Sequence, residues 1–445
     1  MRVPRSRHVA AALFATVAML AGCGQSAPRG DGAVPPGQLV SSKAPAPTRT
    51  QVSSTQVPST AAPSTEVTTD ETRPAPSESE PTVENPLPAR SDLPSTDSAE
   101  RRFVEAGRLT GDMTPKSVVA SGQGLVVAQN MIYTHTVSAF SSDGLLLSTI
   151  DDAIVPSEFG HPEWTEQVEG GPVEAAFTPD GSELWVSNYS MYGPGFDSPG
   201  DDVCSPESGI DPSFVYRIDT SALQIKEVVK VGAVPKYLEV TPDAAHVLVT
   251  NWCTWDLSII GTGSGADGAA AEVARVPMGR YPRGIAISAD SSTAYVAVMG
   301  SSDIAVVDIP AAVDGAGEDA VTWFRGIGRS PRHLNLSPDG RFLFATLNKD
   351  GEVAKISTDT GSVVGTVQTG QQPRSAALSA DGTALFVVNY ESDTVSRIRT
   401  SDLEVLETVP VDHHPIGITY DALTERIWVA SYGGALTVFD DGSQG

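Results

Sequence analysis

The stretch Pro282-Arg-Gly-Ile-Ala-Ile-Ser-Ala-Asp-Ser-Ser-Thr-Ala-Tyr-Val-Ala-Val recurs as Pro331-Arg-His-Leu-Asn-Leu-Ser-Pro-Asp-Gly-Arg-Phe-Leu-Phe-Ala-Thr-Leu-Asn and Pro373-Arg-Ser-Ala-Ala-Leu-Ser-Ala-Asp-Gly-Thr-Ala-Leu-Phe-Val-Val-Asn. Each copy has an alternating apolar run, a turn around Asp, and a second run of β-branched and aromatic residues. This pattern predicts a β-hairpin. Further copies open at Pro115, Pro172, Pro235 and Pro415. Third and fourth strand-like runs complete units of roughly 40 to 50 residues, the period of a β-propeller blade.

The second strand of most copies ends in a similar way, as in Trp185-Val-Ser-Asn188, Leu248-Val-Thr-Asn251, Phe386-Val-Val-Asn389 and Trp428-Val-Ala-Ser431. These endings resemble those of the YVTN-type β-propeller repeats, and the resemblance covers about residues 101–445. It implies an all-β, seven-bladed propeller with four antiparallel strands per blade. The family includes surface-layer and secreted binding proteins and is similar to seven-bladed lactonase-like proteins, so the fold alone names no chemistry.

Ring closure is predicted from the two ends of the repeat region. After Pro415 the chain has three strand-like runs and then ends without a fourth. Phe103-Val-Glu-Ala-Gly-Arg-Leu-Thr precedes the first repeat, in the position that a fourth strand occupies before every later proline. We therefore expect this N-terminal strand to complete the last blade, which removes two exposed sheet edges.

The first residues are predicted to form an export signal. Arg2, Arg5 and Arg7 precede an apolar run at 9–20, which is too short to span a bilayer of about 30 Å, and Leu20-Ala-Gly-Cys23 follows. This arrangement resembles bacterial lipoprotein signals, which implies lipidation of Cys23 and cleavage before it. The alternative is an ordinary signal peptide with a chance cysteine. Lipidation predicts a protein anchored to the extracytoplasmic face of the cell membrane through Cys23.

Three segments follow from this reading: a signal peptide with its lipobox at 1–23, a tether at 24–100 and the propeller at 101–445. The tether is dominated by Pro, Ser, Thr and Ala and shows no periodic apolar pattern. Such a composition cannot bury enough apolar surface to fold, so we expect a disordered spacer.

The charge of the chain excludes one class of partner. The formal net charge is −26; the signal segment carries +3 and residues 24–100 carry −5, which leaves −24 for the propeller. An acidic domain repels phosphate backbones, which argues against nucleic-acid binding. We expect a monomer whose partner is an envelope protein, a glycan or a small molecule.

Beyond Cys23 the chain has two cysteines, Cys204 in an insertion of the second blade and Cys253 at the same place in the third. Both lie in loops between second and third strands. These loops share a face, here called the top face, with the loops that precede the first strands. We predict a disulfide between Cys204 and Cys253; free or metal-binding thiols are the alternative, which an oxidising compartment disfavours.

The residue after the repeat proline is basic in five blades: Lys116, Lys236, Arg283, Arg332 and Arg374. A ring of bases at a channel mouth predicts an anion or carboxylate site. A structural alternative is that four of these bases pair with an aspartate about twenty residues later in the same blade, namely Asp256, Asp303, Asp350 and Asp393. Lys116 has Thr134-His135 in place of the acid, so this alternative leaves Lys116 and His135 as the least compensated groups.

Histidines near the same face are His161, His333, His413 and His414, but their spacing matches no metal motif, and we expect neither a metal nor a cofactor. No nucleophile elbow or phosphate-binding loop is present in the sequence. The predicted binding residues are therefore Lys116, His135, His333, His414, Arg283, Arg332 and Arg374. The sequence favours a non-catalytic binding module with its ligand on the top face; the alternative is a lactonase-like hydrolase acting on a sugar-acid lactone.

Overall fold

The computed structural model describes residues 87–88, 95–265 and 268–442. They form seven four-stranded antiparallel sheets, which confirms the all-β, seven-bladed propeller. Cys23, the lipobox and most of the segment predicted to be a tether lie outside the described residues. No helix within the described ranges has the length and apolar character needed to cross a membrane.

Each blade contributes its strands in order from the central channel outward. Blade 1 consists of β2 Ser117–Ala120, β3 Leu125–Asn130, β4 Thr136–Ser141 and β5 Leu146–Asp151. Blade 2 consists of β6 Glu169–Phe177, β7 Glu183–Tyr192, β8 Phe214–Asp219 and β9 Gln224–Lys230. Blade 3 consists of β10 Pro235–Val240, β11 His246–Asn251, β12 Asp256–Gly261 and β13 Ala271–Pro277. Blade 4 consists of β14 Pro282–Ile287, β15 Thr293–Val298, β16 Asp303–Asp308 and β17 Val321–Phe324. Blade 5 consists of β18 Pro331–Leu336, β19 Phe342–Leu347, β20 Glu352–Ser357 and β21 Val363–Gln368. Blade 6 consists of β22 Pro373–Leu378, β23 Ala384–Asn389, β24 Thr394–Arg399 and β25 Val405–Pro410. Blade 7 combines β26 Pro415–Asp421, β27 Arg426–Ser431 and β28 Ala435–Gly442 with the N-terminal strand β1 Arg102–Thr110.

Helical turns occur in connections between strands. The α-helix α1 spans Ile309–Val313, and its first turn is capped by the Asp308 carboxylate, which accepts from the Ala311 amide. Single 3₁₀ turns span Ser98–Glu100, Pro156–Phe159, Pro206–Ser208, Gly317–Ala320 and Tyr390–Ser392.

The ring closes as the sequence predicts. β1 pairs antiparallel with β28 from Arg102 opposite Gly442 to Thr110 opposite Ala435. A buried ion pair reinforces this closure: the Arg397 guanidinium of blade 6 donates to Asp441 at 2.7 Å, and both side chains are 0% exposed. Ser98 donates to the same carboxylate. The N-terminal strand therefore locks the last blade to its neighbour.

The core lies between neighbouring blades. One cluster packs Phe386 and Val388 of blade 6 against Ile427 and Val429 of blade 7, and Phe103 of β1 joins it. The inner strands also approach closely: a Cβ on Gly284 would lie 2.6 Å from the Arg332 carbonyl oxygen. Only glycine fits at that distance, so blades 4 and 5 meet backbone to backbone beside the channel.

Core contacts begin before residue 101, the predicted start of the propeller. Leu87 is buried in a core cluster that also contains Leu109 and Trp428, and its amide donates to the Asp143 carbonyl at 2.8 Å. The Arg426 guanidinium donates to the carbonyl of Pro88. Residues 87–88 and 95–100 therefore belong to the packed domain.

Candidate functional site

The five bases that follow the repeat prolines meet around the top of the channel. In six blades the pairing of first and second strands is irregular directly after the proline. Such bulges redirect side chains. Arg332 interacts electrostatically with residues of four other blades, which places its guanidinium over the channel. These residues are Glu174 of blade 2, Arg283 of blade 4, Arg374 of blade 6 and Tyr432 of blade 7. We call Lys116, Lys236, Arg283, Arg332 and Arg374 the cation cluster.

Glu174 lies inside the cation cluster. Its Oε1 atom is 3.0 Å from the Lys116 ammonium and 3.6 Å from the Arg283 guanidinium, and all three residues are buried. The expectation that Lys116 lacks an acidic partner is therefore wrong. The acid comes from the neighbouring blade. Burial still lowers the pKa of Lys116 to about 7, because the loss of solvation outweighs the attraction of Glu174.

Arg332 is the least compensated member of the cluster. It is 3% exposed, and its guanidinium makes no ion pair or hydrogen bond with any residue that the structure describes. Burial, with the repulsion of Arg283 and Arg374, pushes the pKa of Arg332 well below its ordinary value. Glu174 attracts the Arg332 guanidinium but does not contact it. Because arginine stays charged in proteins, this side chain is a largely buried cation with no hydrogen-bonded or ion-paired partner among the described residues.

The predicted pairing of bases with aspartates inside each blade is wrong. Asp303 binds Arg325 at 2.6 Å, Asp350 binds Arg329, and Asp393 binds His413 at 2.9 Å. Asp256 instead accepts from Asn251 at 2.6 Å and lies 3.7 Å from Arg275. The reason is geometric: each aspartate is at the third strand, two strand spacings or about 10 Å from the inner strand that carries the base.

Lys236 has a different partner, Asp202, which lies in the insertion between β7 and β8. The Lys236 ammonium donates to Asp202 Oδ1 at 2.6 Å and lies 4.5 Å from the ring centre of Tyr189 and 5.0 Å from that of Trp252. The disulfide between Cys204 and Cys253, with Cα atoms 5.2 Å apart, fixes this insertion to blade 3 and confirms the predicted pairing. Burial lowers the pKa of Lys236 to about 8 despite the attraction of Asp202.

Arg374 lies at the rim of the cluster. Its guanidinium stacks 4.1 Å above the Tyr390 ring and donates to the Gln372 side chain at 2.9 Å. Tyr432 is close to the same arginines, and burial raises its pKa to about 12, so it stays a neutral hydroxyl. A neutral phenol beside three guanidinium groups can donate a hydrogen bond to an anion without repelling it.

The three predicted histidines do not form one site. His333 lies just below the cluster, edge-on to Tyr237 at 5.4 Å, and burial lowers its pKa to about 4, which keeps the ring neutral. His414 stacks on Tyr390 at 4.2 Å and so lies at the rim. His135 stacks on Tyr192 at 5.2 Å and is 3.9 Å from Glu169, in contacts outside the cluster.

A cavity of about 470 Å³ extends from the level of Glu174 and His333 to the bottom-face turns at Ser121 and Pro179. Glu239 lines it, and burial raises the pKa of this carboxyl to about 8. The channel is therefore positively charged at its top, whereas its lower part presents hydroxyls, an amide and a carboxyl held largely neutral at pH 7.

Sequence reasoning missed Glu174, although the repeat contains its signal. The residues two places after the prolines are Ser117, Glu174, Tyr237, Gly284, His333, Ser375 and Gly417, and Glu174 is the single carboxylate among them. Six of these seven positions line the channel cavity. Within the described ranges, no three or more His, Cys, Asp and Glu side chains are grouped so that they could hold a metal ion.

Comparisons with known proteins agree with the fold. A family model described as "Lactonase, 7-bladed beta-propeller" matches residues 194–364. No curated protein sequence matches the chain. Hydrazine synthase of Kuenenia stuttgartiensis is similar in structure, with 17% identity, a TM-score of 0.55, and coverage of 76% of this chain and 98% of that one. The WD40 beta-propeller domain of Doa1 is 15% identical, with a TM-score of 0.56 and coverage of 76% and 97%. At these identities the likeness concerns the fold alone.

Proposed function

We propose that the propeller is a binding module that takes a small anion, a carboxylate or an oxyanion, at the top mouth of its central channel. The observation that carries this proposal is Arg332, a buried guanidinium without a partner among the described residues. A largely buried cation without a hydrogen-bonded partner lowers stability unless an anion binds to it. Guanidinium groups match the geometry of carboxylates and oxyanions.

The charge balance of the site supports the same ligand class. The cation cluster holds five bases, and in the described chain two carboxylates, Glu174 and Asp202, pair with its members. The surface around it belongs to a domain with a formal charge of −24. Large polyanions are repelled by that surface, whereas a small anion reaches a positive site recessed in the channel. The cavity below has room for the uncharged part of such a ligand.

Sulfate binding is expected to weaken as pH rises. The depressed pKa values of Lys116 and Lys236, about 7 and about 8, mean that both ammonium groups lose their charge between pH 6 and 9. Since sulfate remains a dianion in this range, its affinity should fall roughly tenfold. Calorimetric titration at constant ionic strength measures this change. Lys236→Met should flatten the curve near pH 8; a pH-independent affinity in the unchanged protein contradicts the proposal.

In the protein without a bound anion, the same two lysines make the folded state more stable as the pH rises. Both have a lower pKa in the folded than in the unfolded chain, so the unfolded state binds more protons between about pH 7 and 10. Their contribution therefore makes the free energy of unfolding increase across this interval.

Lactone hydrolysis is the second candidate, favoured by the family match at 194–364. In this reaction water adds to the lactone carbonyl and the ring C–O bond breaks, which releases a hydroxy acid. The cations would stabilise the oxyanion, and Glu174 or the neutral His333 would take the proton from water and pass it to the ring oxygen that leaves as the hydroxyl group. An assay with gluconolactone tests this candidate: hydrolysis above the spontaneous rate that disappears in Glu174→Gln supports it, and no rate above background rejects it.

We also propose that the propeller is displayed outside the cell on a lipid attached to Cys23. The support is the lipobox Leu20-Ala-Gly-Cys23 after a short apolar run. Cys23→Ala should abolish labelling by a fatty-acid probe and leave an unprocessed precursor. Gel mobility and probe incorporation measure both effects, and Cys204→Ala is the control for loss of a cysteine outside the lipobox. Labelled, normally processed Cys23→Ala protein rejects the anchor.

A further inference from the structure

The insertion at 193–213 is attached to blade 3 at several points near residue 202. The Cys204–Cys253 disulfide is one, and the Trp252 indole N–H, which donates to the Asp202 carbonyl at 3.0 Å, is a second. Gly200 approaches so closely that a Cβ on it would lie 2.4 Å from Val234 Cγ2, and its amide donates to Ser190 Oγ at 2.6 Å. The main chain beside Asp202 is therefore fixed.

The side chain of Asp202 is more exposed and less confined than its main chain. Its carboxylate accepts from Lys236 at 2.6 Å and from the Tyr189 hydroxyl at 3.2 Å, yet the side chain is 74% exposed. Partial loss of hydration beside the cluster raises the pKa of Asp202, but the charge and hydrogen bond of Lys236, the hydrogen bond of Tyr189 and the charge of Arg283 outweigh this and lower it overall. The carboxylate thus lies at the edge of the cation cluster and can rotate into solvent without any movement of the loop.

We propose that Asp202 is a built-in carboxylate ligand of the cation cluster, which competes with incoming anions for Lys236 and so sets the strength and selectivity of the site. This inference rests on the proposed function. Because the disulfide holds the main chain in place, the carboxylate stays at a high effective concentration beside Lys236. An anion must displace it to reach this ammonium. Dianions, which gain more from the cluster, are favoured over monoanions.

The same inference gives the disulfide of this loop a testable role. Lys236 is held from one side by Tyr189 and Trp252, and the second residue after Asp202 is the bridged Cys204. Without the bridge, the main chain at 201–204 loses one of its anchors to blade 3, and the carboxylate competes less well. Removal of the disulfide should therefore change anion affinity in the same direction as removal of the Asp202 charge.

The test is a calorimetric titration of the purified lipid-free chain with sulfate at pH 6 and fixed ionic strength. At this pH Lys236 stays charged even when the attraction of Asp202, which raises its pKa, is removed. Asp202→Asn keeps the size of the side chain and should tighten sulfate binding about three- to tenfold, because one internal competitor is lost. Asp201→Asn is the matched control: it removes the same charge one residue away and should change affinity less than twofold. If Asp202 sets the selectivity, acetate should gain a larger factor in affinity than sulfate from Asp202→Asn, so the ratio of sulfate to acetate affinity should fall.

The outcomes are distinguishable. Equal effects of Asp201→Asn and Asp202→Asn mean that only the overall charge matters and overturn the inference. The inference is also overturned if Asp202→Asn binds sulfate as tightly as the unsubstituted protein does. If Arg332→Met does not bind sulfate in the same experiment, the proposed function still stands. If neither the unchanged protein nor Asp202→Asn binds sulfate, the proposed function itself is wrong. Melting curves establish that each variant is folded.

Discussion

Replacing Arg332 by methionine is expected to make the protein more stable and to weaken sulfate binding at the same time. Methionine keeps much of the side-chain volume but removes a buried charge that has no partner among the described residues. Removal of an uncompensated buried charge should raise the free energy of unfolding by about 1 to 3 kcal/mol. Loss of the central guanidinium should weaken sulfate binding by about 30-fold or more.

The control for this substitution is Arg341→Met. Arg341 is an exposed arginine paired with Asp339 at 2.6 Å. It lies in the turn between β18 and β19, at the end of the blade opposite the channel mouth. Its loss should change stability by less than about 0.5 kcal/mol and leave sulfate binding intact. Thermal melts and titrations on both variants give the comparison. A less stable Arg332→Met protein with normal sulfate affinity would mean that Arg332 is a structural base.

A chain that begins at residue 111 is expected to lose its cooperative unfolding transition, whereas a chain that begins at residue 81 should melt like the longer protein. The first truncation removes β1, which pairs with β28 along its length, and removes Phe103 from between the rings of Phe386 and Phe439. It also removes Ser98 from the buried Arg397–Asp441 pair. The combined loss should exceed about 5 kcal/mol.

The truncation at residue 81 keeps Leu87, which is buried in the core cluster that contains Trp428. A third chain beginning at residue 95 isolates this contribution and should be destabilised by about 1 to 3 kcal/mol through the loss of that buried side chain. Urea unfolding followed by tryptophan fluorescence measures all three. Equal midpoints for the chains that begin at 81 and 111 would contradict the account of ring closure.

The fold was predictable because its signals are local and repeated. Alternating apolar runs and Asp-containing turns recur after each proline, and the missing strand at one end matches the extra strand at the other. The Cys204–Cys253 bridge followed from the same reasoning, since equivalent loops of neighbouring blades lie side by side. In these cases position within the repeat determines position in space.

The contacts of the channel mouth were not predictable from spacing inside one blade. Lys116 and Arg283 share Glu174, which belongs to a third blade, and only the closed ring brings the three together. The periodic aspartates have another repeated role. Asp303 and Asp393 each accept a backbone N–H from the loop before the next proline, at Gly326 and His414. Asp350 accepts one from Arg329, in the loop before the proline of its own blade. These aspartates recur because each one binds the main chain of a loop. In the sequence, this spacing looks the same as pairing with the bases.

The most direct test of an anion site at the channel mouth is a crystal of the propeller soaked in selenate, an anomalously scattering analogue of sulfate. We predict an anomalous peak within about 4 Å of the Arg332 guanidinium, the distance of a charge-assisted contact, with Arg283 or Arg374 as a second ligand. The peak should be absent from crystals of Arg332→Met. Selenate bound solely at exposed side chains, with none beside Arg332, would contradict the account.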